Sequence, residues 1–103
     1  MRSTREATSS GVASHLLSVA CTLFAVSEAD LLSDSRQVEV VAARRALIKV
    51  LMEHVGWSYP RCATLLNKDN STMVRAHVRA NDEYRTDDEF YEAVNRLEQE
   101  LAR

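Results

Sequence analysis

The sequence predicts an all-α fold, a compact bundle of about five to six helices containing a helix-turn-helix. Three observations carry that expectation. Apolar residues recur at helical spacing along most of the chain, and strand-like alternation is missing. Only two Gly and one Pro occur in 103 residues, while Ala, Leu, Val, Glu and Arg dominate. The stretch from Ser58 to Arg79, SYPRCATLLNKDNSTMVRAHVR, reads as two short helices across a tight turn.

The length suits one domain with a single core. The division expected is a flexible N-terminal arm at 1–11 and a helical domain at 12–103. The first helix covers Val12 to Val26, on the spacing of Leu16, Leu17, Val19, Ala20, Leu23 and Phe24. Ser27, with Asp30 three residues on, resembles a capping arrangement for a short helix at Ala29–Ser33. Asp34–Glu39 reads as a loop or a frayed turn. The most apolar helix runs from Val40 to His54, with Val40, Leu47, Ile48, Leu51 and Val55 in one broad stripe, and Gly56 stops it. Arg44 falls inside that stripe. Burial of an unpaired cation is costly, so either its head group is free near the helix start or the phase of the stripe is different.

Ser58 caps the next helix, which tolerates Pro60 in its first turn and ends near Leu66. Asn67 stands where the turn needs positive φ. The following helix covers Asn70 to Tyr84, and Thr86 with Glu89 forms a capping box for a last helix at Asp87–Leu101. Cys62, Ala63, Leu66, Met73 and Ala76 have the spacing of residues that meet where two such helices cross. Met73, His77, Ala80 and Tyr84 mark the inner face of the second helix, with Val74 and Val78 beside them. Lys68, Thr72, Arg75 and Arg79 lie on the opposite side.

A basic, hydroxyl-bearing stripe on a helix that follows a turn suits the major groove of DNA. Long cations reach phosphates there, and N-terminal residues reach base edges. Asn70, Ser71 and Thr72 supply donors and acceptors at that end; Asn pairs two ways with adenine, and a Thr methyl touches a thymine methyl. Asp69 either caps the helix or accepts from a cytosine amino group. The bland reading is that Arg on the wet face of a helix is ordinary. The formal net charge of −2 also argues against nucleic acid, but its distribution does not: residues 36–81 hold eight Arg or Lys against three acids, and residues 82–103 hold three Arg against eight acids. A ligand feels the local field within roughly 8 Å in physiological salt.

Other chemistry is poorly supported. His15, His54 and His77 are scattered, with no metal-ligand or Cys–His spacing. His77 reads as a packed core histidine, and Trp57 and Tyr59 as packing. Cys21 and Cys62 read as buried, reduced thiols. Asp87, Asp88, Glu89 and Glu92 read as a solvated helix start. No enzyme activity, cofactor, metal or membrane span is expected, and the location expected is cytoplasmic.

On these residues the chain resembles the C-terminal DNA-binding domain of the bacterial replication initiator DnaA, over about residues 14–101. Ala29-Asp30-Leu31-Leu32-Ser33 looks like the segment before that family's basic loop, and Val41-Ala42-Ala43-Arg44-Arg45-Ala46 follows at the right distance. Lys68-Asp69-Asn70-Ser71-Thr72-Met73-Val74-Arg75-Ala76 is similar to the family signature Arg-Asp-His-Thr-Thr-Val, hydrophobic, His-Ala, once one Gly before it is deleted. Ser58 and Pro60 match the opening of the helix before the turn. The resemblance implies that Lys68, Asp69, Asn70, Ser71 and Thr72 face the major groove and that Arg44 and Arg45 meet phosphates. The family's basic loop is reduced here to Arg36, its signature His is Asn70, and its later His is Arg75. No Walker-type loop is present, so no ATPase is expected.

The function expected is a sequence-specific double-stranded DNA-binding transcription regulator. It would be an activator of phage or phage-like genes, monomeric, working with a partner that engages RNA polymerase or resembles a sigma factor. The alternative is a protein-interaction module, or replication-associated adaptor, that keeps the fold with weak or no specific DNA binding.

Overall fold

The computed structural model describes residues 4–102, with side chains from Gly11 onward. Six α-helices follow one another: α1 (Thr4–Phe24), α2 (Glu28–Leu32), α3 (Val38–Val50), α4 (Tyr59–Leu66), α5 (Asn70–Thr86) and α6 (Asp88–Leu101). A π-helical turn, Leu51–Val55, extends α3, and no strand occurs among the described residues. The all-α bundle is therefore the fold. The expected arm at 1–11 overlaps the first turns of α1, whose side chains, like residues 1–3, lie outside those described.

Helix α3 is the centre of the bundle, flanked by α1, α2, α5 and α6. This placement corrects the single-stripe reading. Val40, Ala43, Ala46, Leu47, Ile48, Val50 and Leu51 are all buried, so the buried face is wider than the expected stripe, while Glu39 is exposed and Arg45 on the outer side is half-buried. Leu16 and Leu17 of α1, Met73 of α5, and Phe90, Val94 and Leu97 of α6 close over it, and Leu66 of α4 is buried beside α5.

Local chemistry sets the joints. Ser27 and Asp30 form the expected capping box, though α2 occupies Glu28–Leu32. Gly56 turns the chain out of the π-helical turn at φ 88°, and its N–H and that of Trp57 share the Leu51 carbonyl. Ser58 accepts from the Arg61 N–H and opens α4. Asn67 takes the left-handed conformation expected of it, at φ 58°. The N–H of Lys68 closes on the Ala63 carbonyl at 2.9 Å. Helix, turn and helix thus succeed one another as expected. Cys62, Ala63, Leu66 and Met73 are buried at their meeting, with Ala76 at its edge. One cap differs: Asp87, not Thr86, accepts from the Phe90 N–H and opens α6. Thr86 still belongs to α5, where its hydroxyl donates to the Asp82 carbonyl.

Candidate nucleic-acid interface

The loop at 33–37, the outer side of α3 and one side of α5 enclose a groove. Two hollows sharing walls, of about 340 and 750 Å³, make it up. Arg36, Arg44, Arg45, Lys68, Arg75 and Arg79 all line it, with Asp69 and Thr72. Residues 43 positions apart in sequence thus bring six cations to one concave surface. Of the residues predicted for the site, Ser58, Asn70 and Ser71 do not line it. Ser58 is spent on the α4 cap, and Asn70 and Ser71 sit exposed at the start of α5.

The six cations divide by what already holds them. Arg44 is 9% exposed, and its guanidinium is consumed by backbone: Nε donates to the Leu31 carbonyl at 2.9 Å, Nη1 to Ser35, and Nη2 to Asp30 and Ser33. Of the two readings left open for Arg44 the free head group is excluded, and so is its meeting a phosphate: it is buried, and the fan of carbonyls at the end of α2 compensates its charge. Burial lowers the Arg44 pKa, with Asp34 and Asp30 opposing that shift. Arg45 pairs with Glu83 of α5. Lys68 donates to the Ser33 carbonyl and lies 3.6 Å from Asp34, tying the turn of the helix pair to the 33–37 loop. Arg36, Arg75 and Arg79 have no ion pair or hydrogen bond among the described residues, and all three are exposed.

The start of α5 is ordered by Asp69. Its Oδ1 accepts from the Thr72 N–H at 2.7 Å and from the Ser71 hydroxyl at 3.0 Å. These hydrogen bonds, those to Thr72 first, hold its carboxyl below its ordinary pKa, with Arg75 adding to the shift. Of its two expected roles, capping is the one its geometry fills.

The back of α5 holds a polar network that the sequence reading missed. Lys49 is buried, yet its ammonium reaches both oxygens of Glu53 at 2.9 and 3.1 Å and Asn81 Oδ1 at 2.6 Å. It also lies 4.7 Å from the Tyr84 ring centre. His77 is not a purely apolar core histidine: Nε2 meets Glu53 at 2.7 Å and Nδ1 meets the Tyr59 hydroxyl at 2.9 Å. Burial pushes the Glu53 carboxyl up, but the bonds to His77 and Lys49 and their charges outweigh that and hold it down. The one available signal was the i, i+4 spacing of Lys49 and Glu53.

Val74 and Val78 also depart from expectation, since both are exposed rather than packed beside Met73. Trp57 is buried, with the Arg61 guanidinium 4.1 Å over its ring, and Tyr59 packs against the core. Cys62 is buried, which pushes its thiol up to about 11. Cys21 is half-buried and free. His15 and His54 each meet a glutamate of α6, Glu100 at 2.8 Å and Glu98 at 2.9 Å. The described residues contain no group of three or more His, Cys, Asp or Glu able to hold a metal, and no helix long and apolar enough to cross a membrane.

Comparison with known proteins adds no relative: the sequence matches no family model and no curated protein.

Proposed function

We propose that this chain is a sequence-specific double-stranded DNA-binding regulator of transcription. One observation carries the reading: Arg36, Arg75 and Arg79 stand unpaired and exposed around a groove whose other cations are already neutralised. Unpaired cations that converge on a concave surface beside an exposed helix start suit a phosphate backbone, which favours them by releasing counterions. In this reading α5 enters the major groove. Asn70, Ser71 and Thr72 approach base edges, and Arg75 and Arg79 reach the flanking phosphates. Arg36, on the loop, reaches the neighbouring backbone.

The likeness of residues 68–76 to the DnaA signature supports the same docking. It also supports the finer proposal of a monomeric activator of phage-like genes that works beside a partner engaging RNA polymerase. With no nucleotide-binding loop in the sequence, the proposed role includes no ATPase.

Chromatin immunoprecipitation with sequencing of a tagged copy, beside Arg75→Ala, tests the reading. Discrete peaks that share a motif and vanish in the variant are expected. Peaks that persist in Arg75→Ala overturn the docking, and no enrichment in either overturns the function.

A second reading, a protein-interaction module, draws on one feature. Tyr91 is exposed, its ring 4.7 Å from that of Tyr84, beside Arg85 and Asp88 at the acidic start of α6. Capture of a partner that survives high salt and ignores changes at Thr72 and Arg75 favours it.

A further inference from the structure

Two exposed valines on α5 have no explanation in the fold. Val74 is 42% exposed and Val78 58% exposed. Both are β-branched residues on a helix, where their stiffness gives no advantage without packing. A lone exposed apolar residue is ordinary, but these two stand one turn apart, on the face that turns away from the core. Met73 and Ala80 mark the inner side of α5. At 3.6 residues per turn, Ser71, Arg75 and Val78 lie roughly opposite them, with Val74 alongside. All four are exposed.

Ser71, Val74, Arg75 and Val78 therefore make an outward row spaced i, i+3, i+4 and i+7. That is the spacing with which a recognition helix lying along the major groove presents side chains to successive base pairs. The row is apolar at two places and cationic at a third, and Arg79 and the groove cations flank it. The cations along that side match a polyanion and oppose a basic protein surface, and Asp82, one turn beyond Val78, is paired with Arg85. The major groove also offers a specific apolar feature, the C5-methyl group of thymine.

We infer that Val74 and Val78 read thymine methyl groups, so that the DNA site of this protein contains thymines at two fixed positions under the second and third turns of α5. The inference rests on the DNA-binding reading and adds to it the chemistry of the bases read.

The test replaces thymine by uracil, which removes the methyl and leaves the pairing edge intact. A site is first selected from random duplexes with the wild-type protein. Each thymine of that site is then replaced singly by uracil, and binding is measured for wild type, Val74→Ala and Val78→Ala. Both valines are exposed and Ala favours helix, so the variants keep the fold, as circular dichroism will register. Uracil at two positions is expected to weaken wild-type binding by about fourfold each, the effect of roughly one buried CH2 group. Each valine variant is expected to bind about fourfold more weakly and to lose the thymine preference at one of those positions.

A selected site that wild type binds equally well with every thymine replaced overturns the inference and leaves the DNA-binding reading intact. Valine variants that keep wild-type affinity or the full thymine preference do the same. Failure to select any site overturns the DNA-binding reading and this inference with it.

Discussion

Arg44 donates its Nε–H to the carbonyl of Leu31 at 2.9 Å, so a cation on the central helix closes the C-terminal end of α2. Three more carbonyls, of Asp30, Ser33 and Ser35, receive its other donors. Its stabilising contribution is thus tied to the order of the 33–37 loop, which carries Arg36 into the groove. Arg44→Met removes every one of these bonds; Lys68 still donates to the Ser33 carbonyl and Ser33 to that of Asp30, so the loss falls on the carbonyls of Leu31 and Ser35. The expected cost is about 2–4 kcal/mol, seen as a lowered urea midpoint. Arg44→Lys is expected to recover little, because an ammonium cannot fan to four carbonyls as a planar guanidinium does. An Arg44→Met protein as stable as wild type would show that the loop is ordered by something else.

The unpaired cations behave oppositely. Arg36→Ala, Arg75→Ala and Arg79→Ala are expected to leave stability within about 0.5 kcal/mol, since no ion pair or side-chain hydrogen bond is lost. Each that meets a phosphate is expected to weaken DNA binding at low salt and to reduce the slope of log K against log salt by about 1. Fluorescence anisotropy across a salt series measures both. A salt slope unchanged in all three variants places the polyanion elsewhere.

Asp69 separates capping from charge. Asp69→Ala loses the bonds to the Thr72 N–H and the Ser71 hydroxyl, and is expected to lower the melting temperature. Asp69→Asn keeps a capping oxygen while removing a carboxylate from the groove wall. It is expected to stay near wild-type stability and to bind non-specific DNA more tightly, because the local field becomes more positive. Thermal melts and anisotropy with a random duplex check the pair.

Ala25 ends α1 at φ 56°, a conformation that Asn67 adopts with less strain. An L-residue with a Cβ loses roughly 1–2 kcal/mol there, while Gly loses about 0.5–1 kcal/mol of unfolded-chain entropy. Ala25→Gly is therefore expected to be mildly stabilising, by about 0.5–1 kcal/mol in chemical denaturation. A destabilised Ala25→Gly variant would mean that the methyl group is itself needed.

The contrast between Asn67 and Arg44 shows what could be read in the chain. Asn67 declares its conformation through its own chemistry and its place between two helical runs, and the caps at Ser27 and Ser58 are equally local. The order and kind of the helices were legible for that reason. Arg44 and Lys49 could not be placed, because their partners on α2 and α5 become neighbours only once those helices pack against α3. The same packing widened the expected stripe to take in Ala43, Ala46 and Val50, while Arg45 on the outer side stays half-buried. Thr86 and Asp87 are adjacent residues that can each cap a helix, Asp the better of the two, and the last turn of α5 takes Thr86. The site was legible as a set of basic positions, but which cations are free and which are paired depends on tertiary distances.

Glu53 sets a pH dependence whose sign follows from its partners. Its carboxyl lies below the ordinary value of 4.5, held there by His77 and Lys49 against the upward push of burial. A carboxylate that is more acidic in the folded state stabilises the fold above its unfolded pKa. That contribution disappears as pH falls through the folded pKa. Glu53→Gln is therefore expected to be less stable than wild type at pH 7 and to approach it as the pH falls through the folded-state pKa of Glu53. The side chain is 34% exposed, so solvent screens part of the interaction, and a difference of about 1–2 kcal/mol is expected at neutral pH. Lys49 makes that loss one-sided: its head group stays nearly dry, with Asn81 and the Tyr84 ring as its remaining partners. Urea midpoints for both proteins from pH 3 to 7 measure the effect. A gap that widens towards low pH would reverse the sign and would mean that Glu53 is held protonated in the folded protein.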